Sequence, residues 1–346
     1  MTHQQLRIAV LHGGPSSEHD ISVWSSRGVL QTLQEAGYQT VAVYVDPQAR
    51  WHLSETSASG QALESGQKVG QGLDFLEAIG LLRQRADLCF LGFHGNYGED
   101  GKVQAALELA GLRYTGAGVT ASAVAMDKTL TRRVFAGVGL PIARACELQS
   151  AHVRTEAGAQ VAAKKLIEDM GLPMVVKVPM GGSSVGVEIP RDEEALVQSL
   201  MRLAADAPTL LCEEFISGIE ITAGVLERPD GTLESLPIVE IVPKTAKFFD
   251  YQAKYQSGGS DEIVPARIPH EATLLAQTYG TLAHKALGCK GYSRTDQILR
   301  EDGSLVLLET NTLPGLTPAS LLPKAAAAVG LSYLALLERI IAAAMR

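Results

Sequence analysis

Hydrophobic and polar positions in the first third of the chain form short apolar runs separated by amphipathic stretches. The apolar runs Leu6–His12, YQTVAVYVD and DLCFLGF predict three β-strands, and the stretches between them, such as FLEAIGLLRQR, predict helices. This order predicts a parallel sheet with right-handed crossovers, in which ligands bind beyond the carboxyl ends of the strands. We therefore expect the polar loops HGGPSSEHD and FHGNYGEDG, which follow two of these strands, to line a binding site.

The pattern in the rest of the chain predicts further mixed α/β structure. A helical pattern from about Val119 ends at Pro141, and a helix, strands and a Gly–Ser loop follow up to the strand TLLCEEF. Two hairpins come next, with a long polar loop at about residues 243–265 between them that we interpret as a lid. The predicted domains are an N-terminal substrate-binding domain at 1–118, a central subdomain at 119–212 and a C-terminal subdomain at 213–346.

The second hairpin, GYSRTDQILREDGSLVLLETN, carries the most specific chemistry. Its Asp-Gly dipeptide is typical of a two-residue turn, which would pair Asp296 with Glu309 and Arg294 with Asn311 on one face. Facing carboxylates repel each other unless a cation lies between them, and their oxygens suit Mg²⁺. We therefore predict that Asp296, Glu309 and Asn311 hold a metal ion. A three-residue turn would shift the pairing by one position and remove this argument.

Composition narrows the class of protein. The 346 residues are 46% hydrophobic and 20% charged, as in ordinary globular proteins, and the formal net charge of −8 argues against nucleic acid or an anionic membrane as the main partner. The four cysteines have no metal-binding or redox spacing, so we interpret them as thiols in a reducing cytosol. The sequence contains no run of eighteen apolar residues, so we expect no membrane-spanning helix. We expect a cytoplasmic enzyme.

A phosphate-binding loop is the second candidate feature. The run VVKVPMGGSSVGVEI places Gly-Gly-Ser-Ser between two strands, where backbone N–H groups can cradle phosphate oxygens, whereas the Walker A pattern is absent. Lys177 precedes this loop, and Lys128 stands near a predicted helix end. Each lysine alone is typical of a surface charge, but together with the loop and the metal hairpin they indicate phosphate ligands.

These motifs together resemble the D-alanine–D-alanine ligases, an ATP-grasp family. HGGPSSE, FHGNYGEDG, MDKTLT, KVPMGGSSVG, EEFISGIE, YQAKY, GYSRTD and ETNTLPGLTPAS stand in the family's order from the first strand to the last helix. The resemblance implies an α/β ATP-grasp fold with an N-terminal Rossmann-like parallel-sheet domain. It also implies that ATP phosphorylates one D-alanine, that a second D-alanine attacks the acyl phosphate, and that the dipeptide enters bacterial peptidoglycan.

The resemblance further implies a cofactor set and a role for each matching residue. The cofactors are ATP and Mg²⁺ or Mn²⁺, with two ions. The residues implied for ATP are Lys128, Lys177 and Lys254 at the phosphates, Glu213 and Glu220 at the adenine amine and ribose, and Phe215 and Ile216 beside the base. For the first D-alanine the resemblance implies Glu18 at the ammonium group and His94 near the carboxylate, while Ser183 and Tyr255 hydrogen-bond with Glu18 and hold the long loop over the substrates. It also implies Arg294 and the Gly315 amide at the oxyanion, and Ser320 and the Leu321 amide at the second carboxylate.

Several alternatives stay open at this point. Taken alone, Glu18 also fits a helix N-terminal acid, and His94 a structural turn residue. Arg132 stands where the family commonly has Lys, which we expect to be a minor change. The activity alternatives are an ATP-grasp ligase for another amino acid pair or for D-alanine and D-lactate, a small-molecule kinase, and a nucleotide-binding regulator. The resemblance also suggests a homodimer.

Overall fold

The computed structural model describes residues 6–55, 70–181, 186–244 and 259–346. The first sheet has the order β3-β2-β1-β4, and both β2 and β4 pair with β1 in parallel, which confirms the predicted parallel sheet. A fourth strand, β3, pairs antiparallel at the edge and was not predicted, because its five residues are too short for a clear period. The strands are β1 (Arg7–Gly13), β2 (Gln39–Val45), β3 (Trp51–Glu55) and β4 (Leu88–Leu91).

Three helices connect or follow these strands close to where the pattern predicts them. They are α1 (His19–Glu35), α2 (Phe75–Arg85) and α3 (Lys102–Leu109). A capping box fixes the start of α2, since the Asp74 carboxylate accepts the Glu77 amide and the Glu77 side chain accepts the Asp74 amide. Both polar loops lie at the carboxyl ends of β1 and β4, which are neighbours in the sheet.

The helical pattern that begins at Val119 forms two helices rather than one. They are α4 (Val119–Met126) and α5 (Lys128–Gly137). Asp127 between them is extended, with φ −96° and ψ 107°, and its side chain accepts the amides of Thr129 and Leu130. An Asp that caps the second helix therefore interrupts the pattern and places Lys128 at the first position of α5.

The central sheet is antiparallel and has the order β5-β8-β6-β7. Its strands are β5 (Ala145–Gln149), β6 (Met174–Lys177), β7 (Val187–Glu188) and β8 (Thr209–Glu214), and a short 3₁₀ helix (Ser150–His152) follows β5. Apolar faces of α6 (Glu156–Met170) and α7 (Glu193–Leu203) pack in the same core as this sheet. Lys177 pairs with Leu211 and Val175 with Glu213, so the side chains of Lys177 and Glu213 are diagonal neighbours on one face of the sheet.

The third sheet has six strands in the order β12-β11-β9-β13-β14, with β10 also paired to β9. Its strands are β9 (Ile219–Glu227), β10 (Leu233–Ser235), β11 (Val239–Pro243), β12 (Ser260–Ile263), β13 (Tyr292–Leu299) and β14 (Leu305–Asn311). β12 lies inside the predicted loop at 243–265, so that part of the loop prediction is wrong. The hairpin that carries the predicted metal ligands, β13–β14, forms one edge of this sheet.

The remaining helices are α8 (His270–Leu287), α9 (Leu321–Ala328) and α10 (Tyr333–Ala344). The largest hydrophobic core joins the first sheet to residues of α9, α10, β9 and β13. In the ranges described above, no single helix is long and apolar enough to cross a membrane, although the pair α9–α10, bent by 106°, passes by length and composition. The boundaries predicted between the three domains, at 118/119 and 212/213, stay predictions.

Candidate active site

The turn of the β13–β14 hairpin has three residues instead of the predicted two. The Arg300 amide donates to the Ser304 carbonyl, and the Gly303 amide donates back to the Arg300 carbonyl, which leaves 301–303 as the turn. Gly303 adopts φ +83°, a left-handed conformation that an L side chain disfavours. The predicted turn is therefore wrong, and by itself the extra residue would move every partner on β14 by one position.

A β-bulge restores the pairing at the site. Asp296 pairs with Glu309 while the next residue of β13 pairs two positions earlier on β14, so Leu308 is an extra residue. Beyond the bulge, Arg294 faces Asn311. The predicted pairing is confirmed, because the bulge compensates for the longer turn. The two carboxylates and the amide therefore lie at facing positions of one strand pair, β13–β14, as the metal prediction requires.

Asp296 is buried and accepts four hydrogen bonds. Its Oδ1 accepts from Thr222 Oγ1 at 2.6 Å and from Arg294 Nε at 3.0 Å, and its Oδ2 accepts from Arg294 Nη2 at 3.2 Å and from Asn311 Nδ2 at 3.1 Å. Arg294, which the resemblance implies for the oxyanion, is therefore paired with one of the acids in this structure. A buried carboxylate is stabilised by a guanidinium that lies beside it.

Glu309 lies within reach of an expected phosphate ligand. Lys128 Nζ is 3.2 Å from Glu309 Oε2 and donates to the Gly181 carbonyl at 2.7 Å. The Lys128 side chain is only 12% exposed, so this contact is not a solvated surface pair. Lys128 thus connects the start of α5 to Gly181 of the Gly–Ser loop and to Glu309 of β14.

The donor set at this hairpin fits a hard divalent cation. Two carboxylates and one amide oxygen are ligands that Mg²⁺ accepts together with water and phosphate oxygens. Within the described ranges, no group of three His, Cys, Asp or Glu side chains is placed to hold a metal by itself. A cation here therefore needs Asn311 and oxygens from a ligand to complete its coordination.

A second buried charge cluster lies at the central sheet. Glu213 Oε2 is 2.5 Å from Lys177 Nζ, and Glu213 Oε1 is 2.8 Å from Arg132 Nη1. Arg132 Nη2 also donates to the Ala143 carbonyl at 2.5 Å. The structure thus brings together two residues that the resemblance implies for ATP, and it adds Arg132, whose presence instead of the family's common Lys we expected to be a minor change.

Three more of the residues implied for ATP are described, and they follow Glu213 closely in the chain. Phe215 is half-buried directly after β8, and Ile216 is buried against Ala143 and Val306. Glu220 lies on β9 opposite Ile298, two residues from Thr222, which binds Asp296. The described residues that the resemblance implies for ATP therefore extend from the central sheet towards the β13–β14 hairpin.

The first sheet supplies a third group at the ends of β1 and β4. Glu18 is buried immediately before α1, and its side chain does not cap that helix. A Cβ on Gly95 would come within 2.5 Å of Glu18 Oε2, so the carboxylate rests against the backbone after β4. His94 is buried, and its Nε2 lies 3.0 Å from Ser25 Oγ. Burial lowers the pKa of His94, and the nearby Glu18 partly opposes that effect.

Glu99 belongs to the same group, and the sequence analysis missed it. Its carboxylate accepts the Gly95 amide at 2.6 Å and the Leu313 amide at 3.3 Å, so it connects the loop after β4 to the segment after β14. Burial, with a further contribution from Glu18, raises the pKa of Glu99 to about 8. The signal available in the sequence was a second acid in the loop FHGNYGEDG.

The start of α9 carries the two residues that the resemblance implies for the second carboxylate. Ser320 precedes the first helical residue, Leu321, and the Ser320 hydroxyl is 2.8 Å from Thr317 Oγ1. A Cβ on Gly315 would come within 3.0 Å of Ser320 Oγ, so the backbone of Gly315 lies beside this hydroxyl. The predicted residues Ser183, Lys254 and Tyr255 lie outside the described residues.

Comparison with known families matches most of the chain. Residues 7–117 match the family model described as "D-ala D-ala ligase N-terminus", and residues 134–342 match the one described as "D-ala D-ala ligase C-terminus". A curated D-alanine–D-alanine ligase of Halalkalibacterium halodurans is 39% identical over 330 residues, which is 95% of each chain. One of Desulforudis audaxviator is 38% identical over 336 residues, which is 97% of each chain.

Solved structures with the same fold cover almost the whole chain. The D-alanine–D-alanine ligase of Coxiella burnetii has a TM-score of 0.81 at 26% identity, covering 99% of this chain and 94% of that one. The Bacillus anthracis ligase complexed with ATP has a TM-score of 0.76 at 28% identity, covering 99% and 98%. The VanG D-Ala:D-Ser ligase of Enterococcus faecalis has a TM-score of 0.77 at 26% identity, covering 97% and 98%. The chain belongs to the D-alanine–D-alanine ligase family, whose members are ATP-dependent ligases with the ATP-grasp fold.

Proposed function

We propose that this chain joins two D-alanines into D-alanyl-D-alanine for peptidoglycan synthesis, with ATP consumed through an acyl phosphate. The observation that carries the proposal is the junction at Glu309. There an expected phosphate ligand, Lys128, lies 3.2 Å from an acid that faces Asp296 across the hairpin. This contact supports the proposal, because phosphoryl transfer from Mg–ATP requires phosphate and metal ligands close together.

The nucleotide side of the site follows from the two charge clusters. We propose that Lys128 and Lys177 contact phosphate oxygens and that Glu213 accepts the adenine amine. Asp296, Glu309 and Asn311 would hold Mg²⁺, which would neutralise negative charge that develops on the phosphates. Because Lys177 and Glu213 form a close pair in this structure, ATP would draw the lysine towards the phosphates.

The substrate side uses the first sheet and the start of α9. Glu18 would hold the ammonium group of the first D-alanine, and His94 would lie near its carboxylate. The Ser320 hydroxyl and the Leu321 amide, at the N-terminus of α9, would bind the second carboxylate. Arg294 would stabilise the tetrahedral oxyanion together with the Gly315 amide.

A ligase with another second substrate is the main alternative. The VanG D-Ala:D-Ser ligase covers nearly the whole chain at almost the same TM-score as the D-alanine ligases, so the fold alone does not select the second amino acid. Four other expectations likewise remain predictions: the homodimer, the cytoplasmic location, the two metal ions and the boundaries of the three domains.

A coupled phosphate-release assay with ATP, Mg²⁺ and D-alanine tests the function. D-alanine should give dipeptide and one phosphate per dipeptide, D-serine and D-lactate should give less product when mixed with D-alanine, and L-alanine should give none. Glu309→Gln should lower turnover at least about 100-fold, because a metal ligand and a charge are lost together. Glu301→Gln, on the exposed turn of the same hairpin, is the matched control. Phosphate release that does not depend on D-alanine would overturn the proposal.

A further inference from the structure

Arg132 is a partly buried cation, and its contacts go beyond those of a single charge. It lies on α5, one turn after Lys128, and its side chain is only 13% exposed. One end of its guanidinium donates to Glu213 Oε1 at 2.8 Å, and the other donates to the Ala143 carbonyl at 2.5 Å. The planar group thus joins α5 to both β8 and the segment before β5.

The Glu213 carboxylate has two cationic partners, one on each oxygen. Lys177 Nζ is 2.5 Å from Oε2, and the Lys177 and Glu213 side chains are 9% and 7% exposed. A buried carboxylate is costly without a counter-charge. If Lys177 leaves to meet a phosphate, Glu213 still keeps Arg132, so its position and its charge are preserved.

We propose that Arg132 is a positioning residue for nucleotide recognition, which holds the Glu213 carboxylate as a fixed acceptor for the base while Lys177 is released to the phosphates. The inference rests on the proposed role of Glu213 in ATP binding. A carboxylate has about four acceptor positions on its two oxygens, so Glu213 can accept an amino group while it stays bound to Arg132. The guanidinium fork suits this task, because an ammonium at the same place cannot reach both Glu213 and Ala143 in a fixed geometry.

The test compares nucleotide affinities of Arg132 variants in the absence of D-alanine. Mg–ADP and Mg–IDP are the probes, measured by calorimetry on the full chain. The base of IDP carries a carbonyl oxygen where ADP has the amino group, so a fixed carboxylate acceptor favours ADP. Arg132→Met should weaken ADP binding at least about ten-fold, since a hydrogen-bonded charge pair is lost, and should weaken IDP binding less. The preference for ADP over IDP should therefore fall.

Arg133→Met is the matched control. Arg133 is the next residue on the same helix, but it is 63% exposed and pairs with Glu147 at the surface. Its loss should change neither affinity by more than about two-fold, as expected for a surface pair. Arg132→Lys keeps the charge without the fork and serves if Arg132→Met does not fold. It should keep part of the ADP affinity but still show a reduced preference for ADP over IDP.

Two results would overturn the inference. One is an ADP affinity in Arg132→Met that matches Arg133→Met, and the other is a full ADP preference in Arg132→Lys. Because these measurements need no second substrate, they are independent of the ligation assay. A wild-type protein that binds ADP but releases no phosphate with D-alanine would contradict the proposed function and leave the nucleotide test intact. A merely structural role for Arg132 would lower the melting temperature while leaving the ratio of the two affinities unchanged.

Discussion

Asp296 shows how a single residue can serve two states of the site. It accepts hydrogen bonds from Arg294, Thr222 and Asn311 in this structure, and two of these four bonds come from one guanidinium. A carboxylate placed only for a metal would repel Glu309 across the hairpin when the metal is absent. The pair with Arg294 removes that cost, so the acidic hairpin is compatible with a stable fold before any cation binds.

Asp296→Ala should therefore destabilise the metal-free protein. The repulsion argument taken alone predicts the opposite sign, but the contacts show that Ala would leave a guanidinium that is 12% exposed without this carboxylate. Loss of one partner from a buried ion pair costs about 3 kcal/mol. Urea unfolding in EDTA measures the effect, with Glu301→Ala on the exposed turn as the control. An unchanged midpoint in Asp296→Ala would show that the ion pair contributes nothing to the apo fold.

At the scale of elements, the hairpin shows which parts of the fold a sequence determines. Alternation and an Asp-Gly dipeptide were enough to predict two strands and their antiparallel direction, whereas the predicted facing of Asp296 and Glu309 is right only because the bulge offsets the longer turn. They were not enough to predict the turn length or the bulge at Leu308, because both depend on how β13 pairs with β9 and packs in the sheet. Two errors of one residue each cancelled at the site.

Other elements differ from the prediction for similar reasons. The helical pattern from Val119 continues through Asp127, and only the capping contacts of that residue divide it into two helices. The role of Arg132 depends on β8 and on the segment before β5, which are far apart in sequence. Long-range partners of this kind leave no local period, so the motif residues could be predicted but their ion pairs could not.

The turn of the hairpin gives a prediction at this scale. Gly303→Ala should destabilise the protein by about 1 kcal/mol, because Gly303 has φ +83° and no atom within 4 Å to contact a new methyl group. Gly80→Ala should stabilise it by up to about 1 kcal/mol, since Gly80 lies inside α2, also in open space and without a positive φ. Thermal unfolding of both variants checks the pair, and equal signs would contradict the backbone explanation.

At the scale of the whole molecule, the candidate site joins residues of three sheets. Lys128 connects Gly181 of the Gly–Ser loop to Glu309 of β14. Glu99 connects the loop after β4 to the segment that follows β14. The largest core also includes the first sheet together with α9 and α10. The residues proposed for the substrates and the nucleotide are therefore held in place by packing between distant segments of the chain. No local sequence pattern predicts that these segments pack together.

The contact made by Glu99 gives this connection a pH dependence. The pKa of Glu99 is raised from an ordinary 4.5 to about 8, so the folded state binds its proton more tightly than the unfolded state. The stability that this proton provides is present below about pH 4.5 and is lost as the pH rises towards 8. His94 acts in the opposite direction, since its lowered pKa makes the folded state more stable as the pH rises through 6.5.

Glu99→Gln removes the first of these effects and keeps the second. The difference in unfolding free energy between Glu99→Gln and the wild type should therefore shift in favour of the variant by at least about 1 kcal/mol between pH 5 and 8, because one pKa unit corresponds to about 1.4 kcal/mol. Urea unfolding at both pH values measures it, and Glu301→Gln, an exposed acid, should show no such shift. A difference that stays constant with pH would mean that Glu99 is ionised in the folded protein. Its bonds to Gly95 and Leu313 would then hold the two segments together as a carboxylate rather than as a neutral acid.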